Sequence, residues 1–350
     1  MSTPHPITGP CAWLGKDMAR SSRWVRNLSS ASIGEIDAAL AKARDLPWRK
    51  ITRENFPLSA LNGQIAEIRE ELENGCGMVK LAGLPVARYS PDDLRRIWYG
   101  LGCHLGQPVF QNRSGELMRD IRDEGMGIGE RYGQIDKKEG GKFLSSYART
   151  LSNDQLRFHT DRCDVVGLLC VRQAKAGGLS RLCSSAAVHN AMLKRRPDLA
   201  AVLYRDVYRS RFGEEANAPK DVYPLPVFGV RDGKFTSHYS LTYIEAAEMQ
   251  AGVPKLTGAQ REAIDLLMAL ANELSFDMSF APGDMQFLNN HVIYHARTAF
   301  EDDATSGRAR LLYRLWLTVP NNRALPKGHE VLWREIEAGR PRGGIGQGAM

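Results

Sequence analysis

The chain contains Phe158-His159-Thr160-Asp161, in which an imidazole and a carboxylate are separated by one residue. Side chains alternate along an extended segment, so both groups emerge on one face and two metal ligands can converge from a strand or its end. An isolated His-x-Asp triplet arises often by chance, and a surface or core histidine is its ordinary reading. A second histidine segment changes the balance: Asn289-Asn290-His291-Val292-Ile293-Tyr294-His295-Ala296-Arg297-Thr298, introduced by the turn Ala281-Pro282-Gly283-Asp284. Two imidazoles and one carboxylate on one face of an octahedron leave positions open, which ferrous iron needs to bind a co-substrate and dioxygen together. A third segment, Arg308-Ala309-Arg310-Leu311-Leu312-Tyr313-Arg314-Leu315-Trp316-Leu317, carries arginines four apart in an apolar strand-like run. Arg310 and Arg314 therefore face one side. Burying guanidinium groups is costly unless carboxylates meet them. Either an internal ion pair or a dicarboxylate ligand held in bidentate fashion explains them.

These groups need a scaffold. Apolar spacing predicts helices over 33–44, 61–72, 91–105, 186–203 and 258–274, and strands over 78–81, 165–171, 227–230, 287–288 and 312–319. Residues 1–60 read as an N-terminal helical arm or cap, 61–325 as the main domain and 326–350 as a C-terminal tail. The glycine-rich, charged stretch 123–142 lacks periodicity and is expected to be a lid-like loop. Strands in the centre flanked by helices, without repeats or low-complexity segments, predict an α+β sheet sandwich or barrel.

Composition narrows the function classes. A length of 350 residues with 43% hydrophobic residues can bury a sizeable core. The charge of +7 comes from scattered basic residues rather than a long single-sign run, so an anionic small substrate is favoured over nucleic acid, for which no recognition motif is present. Six cysteines without CxxC pairs fit a reducing compartment. No signal pattern or membrane-length apolar run is present, so a cytoplasmic protein with no membrane partner is expected. A homo-oligomer remains compatible with the sequence.

The ordered series of motifs, from Gly83-Leu84-Pro85 to Pro320, resembles the TauD/TfdA family of iron(II)- and 2-oxoglutarate-dependent dioxygenases, a group that includes taurine dioxygenase and clavaminate synthase. The resemblance implies a double-stranded β-helix (jelly-roll) core with flanking helices. It implies Fe(II), 2-oxoglutarate and O2 as cofactors, with His159, Asp161 and His295 as metal ligands and catalytic centre. His295 is preferred over His291 because the setting His-Ala-Arg-Thr-Ala-Phe looks like the family's distal motif, and His291 then reads as a structural neighbour. Arg310 corresponds to the arginine that binds the far carboxylate of 2-oxoglutarate. Ser180, after Gly177-Gly178-Leu179, corresponds to the assisting hydroxyl, with Leu179 and serine departing from the usual acidic residue and threonine. Arg314 resembles the second arginine, which in several relatives meets an anionic group of the primary substrate. Gln111, Tyr147 and Asn153 lie in segments that approach the iron in relatives and are assigned to substrate binding; ordinary loop hydrogen bonding is their bland reading. Asp164 and Cys163 lie close to the ligand motif, Asp164 as an outer contact or a structural hydrogen-bond partner.

The implied reaction is hydroxylation of an unactivated C–H bond in a small polar carboxylate such as an amino acid, with release of succinate and CO2. Asp161 favours this, or desaturation or cyclisation, over halogenation, since related halogenases carry a small residue there. The rivals are a non-catalytic binding module on the same fold and a zinc hydrolase, in which the paired arginines have no use.

Overall fold

The computed structural model describes residues 4–137, 139–215 and 221–346. Eleven strands build its core: β1 (Val25–Asn27), β2 (Met78–Ala82), β3 (Gln107–Pro108), β4 (Met118–Ile121), β5 (Leu156–His159), β6 (Val165–Arg172), β7 (Ser180–Ser184), β8 (Phe276–Met278), β9 (Met285–Asn289), β10 (Ile293–Arg297) and β11 (Leu311–Thr318). The larger sheet runs β1-β2-β9-β6-β11-β3, with β4 also on β11; the smaller runs β8-β7-β10-β5. Every pairing is antiparallel except β1 with β2. The two sheets face one another as the predicted jelly-roll, with helices on both outer faces.

Burial on both faces explains the near-continuous apolar runs of β6 and β11, since each strand must be apolar toward the other sheet and toward a helix layer. Between the sheets, Val166, Cys170, Leu312 and Trp316 pack against Leu182, Ile293 and Met278. Outside the large sheet lies helix Pro91–Leu105, which places Ile97, Trp98 and Leu101 on Leu169, Leu315 and Phe287. Its start is written in the sequence: the Ser90 hydroxyl accepts from the Asp93 amide and Pro91 opens the first turn. Outside the small sheet lies helix Gly258–Leu274, started by a capping box between Thr257 and Gln260, and its Ile264 and Leu267 join Cys183 and Tyr294 in a separate core.

Several expectations need correction. Residues 123–142, expected to be loop, contain a short helix (Ile128–Tyr132) and a hairpin pairing Gln134–Asp136 with Lys142–Leu144; Lys138 lies outside the described residues. The helix expected over 186–203 is two helices, Ser185–Arg195 and Pro197–Val202, because Pro197 cannot continue the first. Within residues 1–60, expected as a helical arm or cap, β1 also forms the edge of the large sheet, and Trp13 and Trp24 pack on Phe276; residues 1–3 lie outside the described residues. The predicted tail also enters the core, through Leu332, Trp333 and the buried Arg342, while 347–350 lie outside the described residues. Among the described residues no helix is long and apolar enough to cross a membrane.

Candidate active site

Strands β5 and β10 bring the two histidines together, His159 directly opposite His295 in register, with ring centroids 4.3 Å apart. A register shift between His295 and Arg297 marks a bulge at this point, a common device for re-aiming side chains beside a site. Past the end of β5 the chain turns Asp161 back, placing its Oδ1 3.8 Å from His159 Nε2 and its Oδ2 3.7 Å from His295 Nε2. One ligand atom from each of the three lies within 4.8 Å of the others, a spacing that can hold a metal ion.

Neighbouring groups orient His159 and set the charge of His295 and Asp161. His159 Nδ1 donates to the Arg157 carbonyl at 2.9 Å, which leaves Nε2 as the lone pair facing Asp161. Burial pushes His295 down to about 3, helped by His159 and Arg314, so its imidazole is neutral at physiological pH. Burial acts to raise the Asp161 carboxyl, but Arg314, His295, His159 and the Trp316 hydrogen bond outweigh it and hold it below the ordinary value. Two imidazoles and a carboxylate form a donor set suited to ferrous iron.

The larger sheet supplies the opposite wall. Arg310, just before β11, and Arg314 within it line one cavity together with His159, Asp161, His295, Ser180 and Leu168. The Arg310 guanidinium is buried over the Phe300 ring, and its Nε and Nη1 have no hydrogen-bond partner among the described residues. Burial lowers it to about 10, still protonated at neutral pH. Gly178, at φ +70°, makes room for it, since an added Cβ would lie 3.0 Å from Arg310 Nε. On the other side of Asp161 a second pocket is lined by Arg314, Gln111, Tyr147, Arg162, Glu214 and Tyr243, among others.

A profile of the family described as "Taurine catabolism dioxygenase TauD, TfdA family" matches residues 42–316. The chain belongs to this family. It is accordingly a dioxygenase, an oxidoreductase that uses Fe(II), 2-oxoglutarate and O2. FR-33289 synthase of Streptomyces rubellomurinus is 29% identical over 331 residues, covering 92% of this chain and 93% of that one. The taurine hydroxylase-like protein SAT17 of Stachybotrys chartarum is 28% identical over 310 residues, 87% of this chain and 77% of that one. Among solved structures, asparagine oxygenase with Fe(II), hydroxyasparagine and succinate superposes with a TM-score of 0.63 at 17% identity, over 85% of this chain and 94% of that one. The non-heme iron oxygenase OrfP with Fe and alpha-ketoglutaric acid gives 0.58 at 16% identity, over 84% and 94%. Both structural likenesses concern the fold.

The TauD/TfdA dioxygenase does not gather every residue predicted for its site. Ser180 shares the cavity wall with Arg310, but its hydroxyl donates to Gln286 Oε1 at 3.1 Å. Gln111 is a brace for Arg314, accepting from its Nε at 2.7 Å and donating to its carbonyl at 3.0 Å. The Tyr147 hydroxyl contacts Asn112 and Glu116, and Arg119 stacks on its ring. Asn153 is a correction: it is exposed, lines neither pocket, and contributes its backbone carbonyl to Phe300. His291 lies away from the site, bonded to Asp164 at 2.9 Å and to Thr236 at 2.9 Å. Asp164 is structural, holding His291, Thr318, Asn322 and Arg342; the Cys163 thiol donates to the Val165 carbonyl.

Sequence reasoning missed Trp316, whose Nε1 donates to Asp161 Oδ2 at 2.9 Å, although it stands two residues from Arg314 and therefore shares its strand face. Asn290 was also missed; its Oδ1 accepts from the Asp161 amide at 3.0 Å. Nothing in their spacing signals Glu214 and Tyr243, whose carboxylate and hydroxyl meet at 2.9 Å.

Proposed function

We propose that His159, Asp161 and His295 hold Fe(II), that Arg310 receives the far carboxylate of 2-oxoglutarate, and that Arg314 meets an anionic group of a small polar substrate, an amino acid or another carboxylate, which the enzyme hydroxylates. The observation that carries this reading is the buried Arg310 guanidinium, left without a partner among the described residues in the same cavity as the three candidate ligands. An unpaired buried charge is strongly unfavourable, and a dicarboxylate satisfies it with paired hydrogen bonds. A hydrolytic centre would have no use for it.

With the metal and 2-oxoglutarate bound, the group supplies the oxidation of a C–H bond, with succinate and CO2 as co-products. The chain's own residues bind and orient. Nδ1 of His159 stays protonated toward Arg157, so the other nitrogen remains a ligand atom. Ile121, Leu156, Val166 and Leu168 give the cavity dry walls, which strengthens the attraction between Arg310 and an anion. Arg314, braced by Gln111, turns its charge toward the second pocket, and Glu214 with Tyr243 offers acceptor and hydroxyl groups on the far side. A substrate bearing both an anion and a hydrogen-bond donor matches that lining.

The decisive test is a metabolite panel, weighted toward amino acids and small carboxylates, screened for substrate-stimulated conversion of 2-oxoglutarate to succinate with Fe(II) present. Turnover that depends on Fe(II) and on one class of carboxylate is expected. Absence of any Fe(II)-dependent succinate, coupled or uncoupled, would sink the assignment.

A further inference from the structure

We infer that Trp316 is a positioning residue that reserves one oxygen of Asp161, so that this carboxylate meets the metal through Oδ1 alone. The inference rests on the metal-ligand reading above and deepens it.

The two oxygens of Asp161 have different surroundings. Oδ2 lies 3.7 Å from His295 Nε2 and 3.9 Å from Arg314 Nη1, and among the described residues it alone accepts a hydrogen bond, from the Trp316 indole at 2.9 Å. Oδ1 has His159 Nε2 as its near neighbour, at 3.8 Å, beyond hydrogen-bond range. An indole N–H can only donate, so Trp316 does not itself ligate the ion and instead engages Oδ2 as an acceptor. Its own position is well determined. Trp316 is buried in β11, opposite Val166 in register, with the Arg314 guanidinium 5.0 Å from its ring.

The backbone of the ligand is held as firmly. Asn290, on the turn between β9 and β10, accepts from the Asp161 amide, donates through Nδ2 to the Cys163 sulfur at 3.2 Å, and gives its own amide to the Asp164 carbonyl at 2.9 Å. The backbone that carries the ligand is thereby tied to the turn between β9 and β10, which fixes where the Asp161 side chain starts. Carboxylate that bound through both oxygens would take one more coordination position, and a three-ligand iron site needs its remaining positions for co-substrate and dioxygen. Groups that orient a ligand in this way typically change metal affinity by about 10–100-fold when removed.

The test compares wild-type protein with Trp316→Phe, which keeps a ring in the core and removes the N–H. Anaerobic titration with Co(II) and with Fe(II) should give Kd values about 10–100-fold weaker for the variant. The Co(II) ligand-field absorption should also lose intensity as the freed oxygen joins the metal and raises its coordination number. An unchanged Kd with an unchanged spectrum overturns the inference while leaving the metal site intact. Failure of wild-type protein itself to bind Co(II) or Fe(II) overturns the metal reading instead. Should Trp316→Phe not fold, 15N-tryptophan labelling of wild-type protein serves. Of the six indole N–H signals, the one Co(II) displaces most should be protected from solvent exchange; rapid exchange there refutes the hydrogen bond.

Discussion

Replacing Arg310 by leucine should separate co-substrate binding from stability, and in opposite directions. The guanidinium is buried, and Nε and Nη1 lack partners among the described residues. A carboxylate meeting one edge of the guanidinium would form two charge-assisted hydrogen bonds worth about 1.5–3 kcal/mol each. Losing the pair costs about 3–6 kcal/mol, and at about 1.4 kcal/mol per tenfold this weakens 2-oxoglutarate by roughly a hundred- to ten-thousand-fold. In co-substrate-free protein the same change removes a buried, unpaired charge beside the Phe300 ring, so the thermal midpoint should hold or rise. Arg310→Lys keeps a charge without the planar fork and should fall between the two. The assay is anaerobic titration of the Fe(II)-loaded protein with 2-oxoglutarate, followed by its charge-transfer absorbance, alongside calorimetry without co-substrate. An Arg310→Leu protein that binds 2-oxoglutarate like wild type, or one whose only defect is a fallen midpoint, refutes the reasoning.

Other outcomes follow from neighbouring contacts. Gly178→Ala places a Cβ 3.0 Å from Arg310 Nε at a φ of +70°, so 2-oxoglutarate Kd should rise and stability fall by about 1 kcal/mol, both readable by the same titration and melt. Burial raises Glu214 to about 7, so primary-substrate KM should improve between pH 6 and 8 as the carboxylate ionises, and Glu214→Gln should flatten that profile while leaving 2-oxoglutarate affinity alone. His291 is pushed by burial from 6.5 down to about 4, meaning the unfolded chain takes up its proton first. Its stabilising share is present above pH 6.5 and is lost as pH falls toward 4, at up to about 1.4 kcal/mol per pH unit. Denaturant melts of His291→Gln should show a shallower loss across that window. Asp164, held below its ordinary 3.8, acts in the same direction only at lower pH.

How much of this was legible in the sequence depended on whether the deciding interaction was local. Helix Pro91–Leu105 was read to the residue because Ser90 and Pro91 mark its start and Gly106 follows its end. That His159, Asp161, His295, Arg310 and Arg314 would share one cavity was legible, because a candidate metal-ligand set and a pair of buried arginines restrict residue type and spacing at once. The break at Pro197 was visible and was overridden by the helical pattern around it. Other features depend on distant partners. The hairpin inside 123–142 is anchored by the Ser145 amide on the Gly133 carbonyl, and Arg119 stacks on Tyr132 and Tyr147. Asn153 misled because its segment does approach the site while its side chain faces solvent. Arg342 sits in a stretch with no periodicity, and its role appears only when Asp164 is beside it at 2.8 Å.

The histidines hang from the small sheet, while Arg314 stands on the large one and Arg310 just before its strand, so among the described residues no backbone ladder spans the gap between them. Layer spacing sets it, through residues such as Val166 and Leu168 on the cavity wall. On the proposed assignment, the interleaf filling would act as a gauge for the length of the diacid spanning the gap. Drift from valine to isoleucine or alanine there would recalibrate which keto acid fits, while every group that touches it stayed the same.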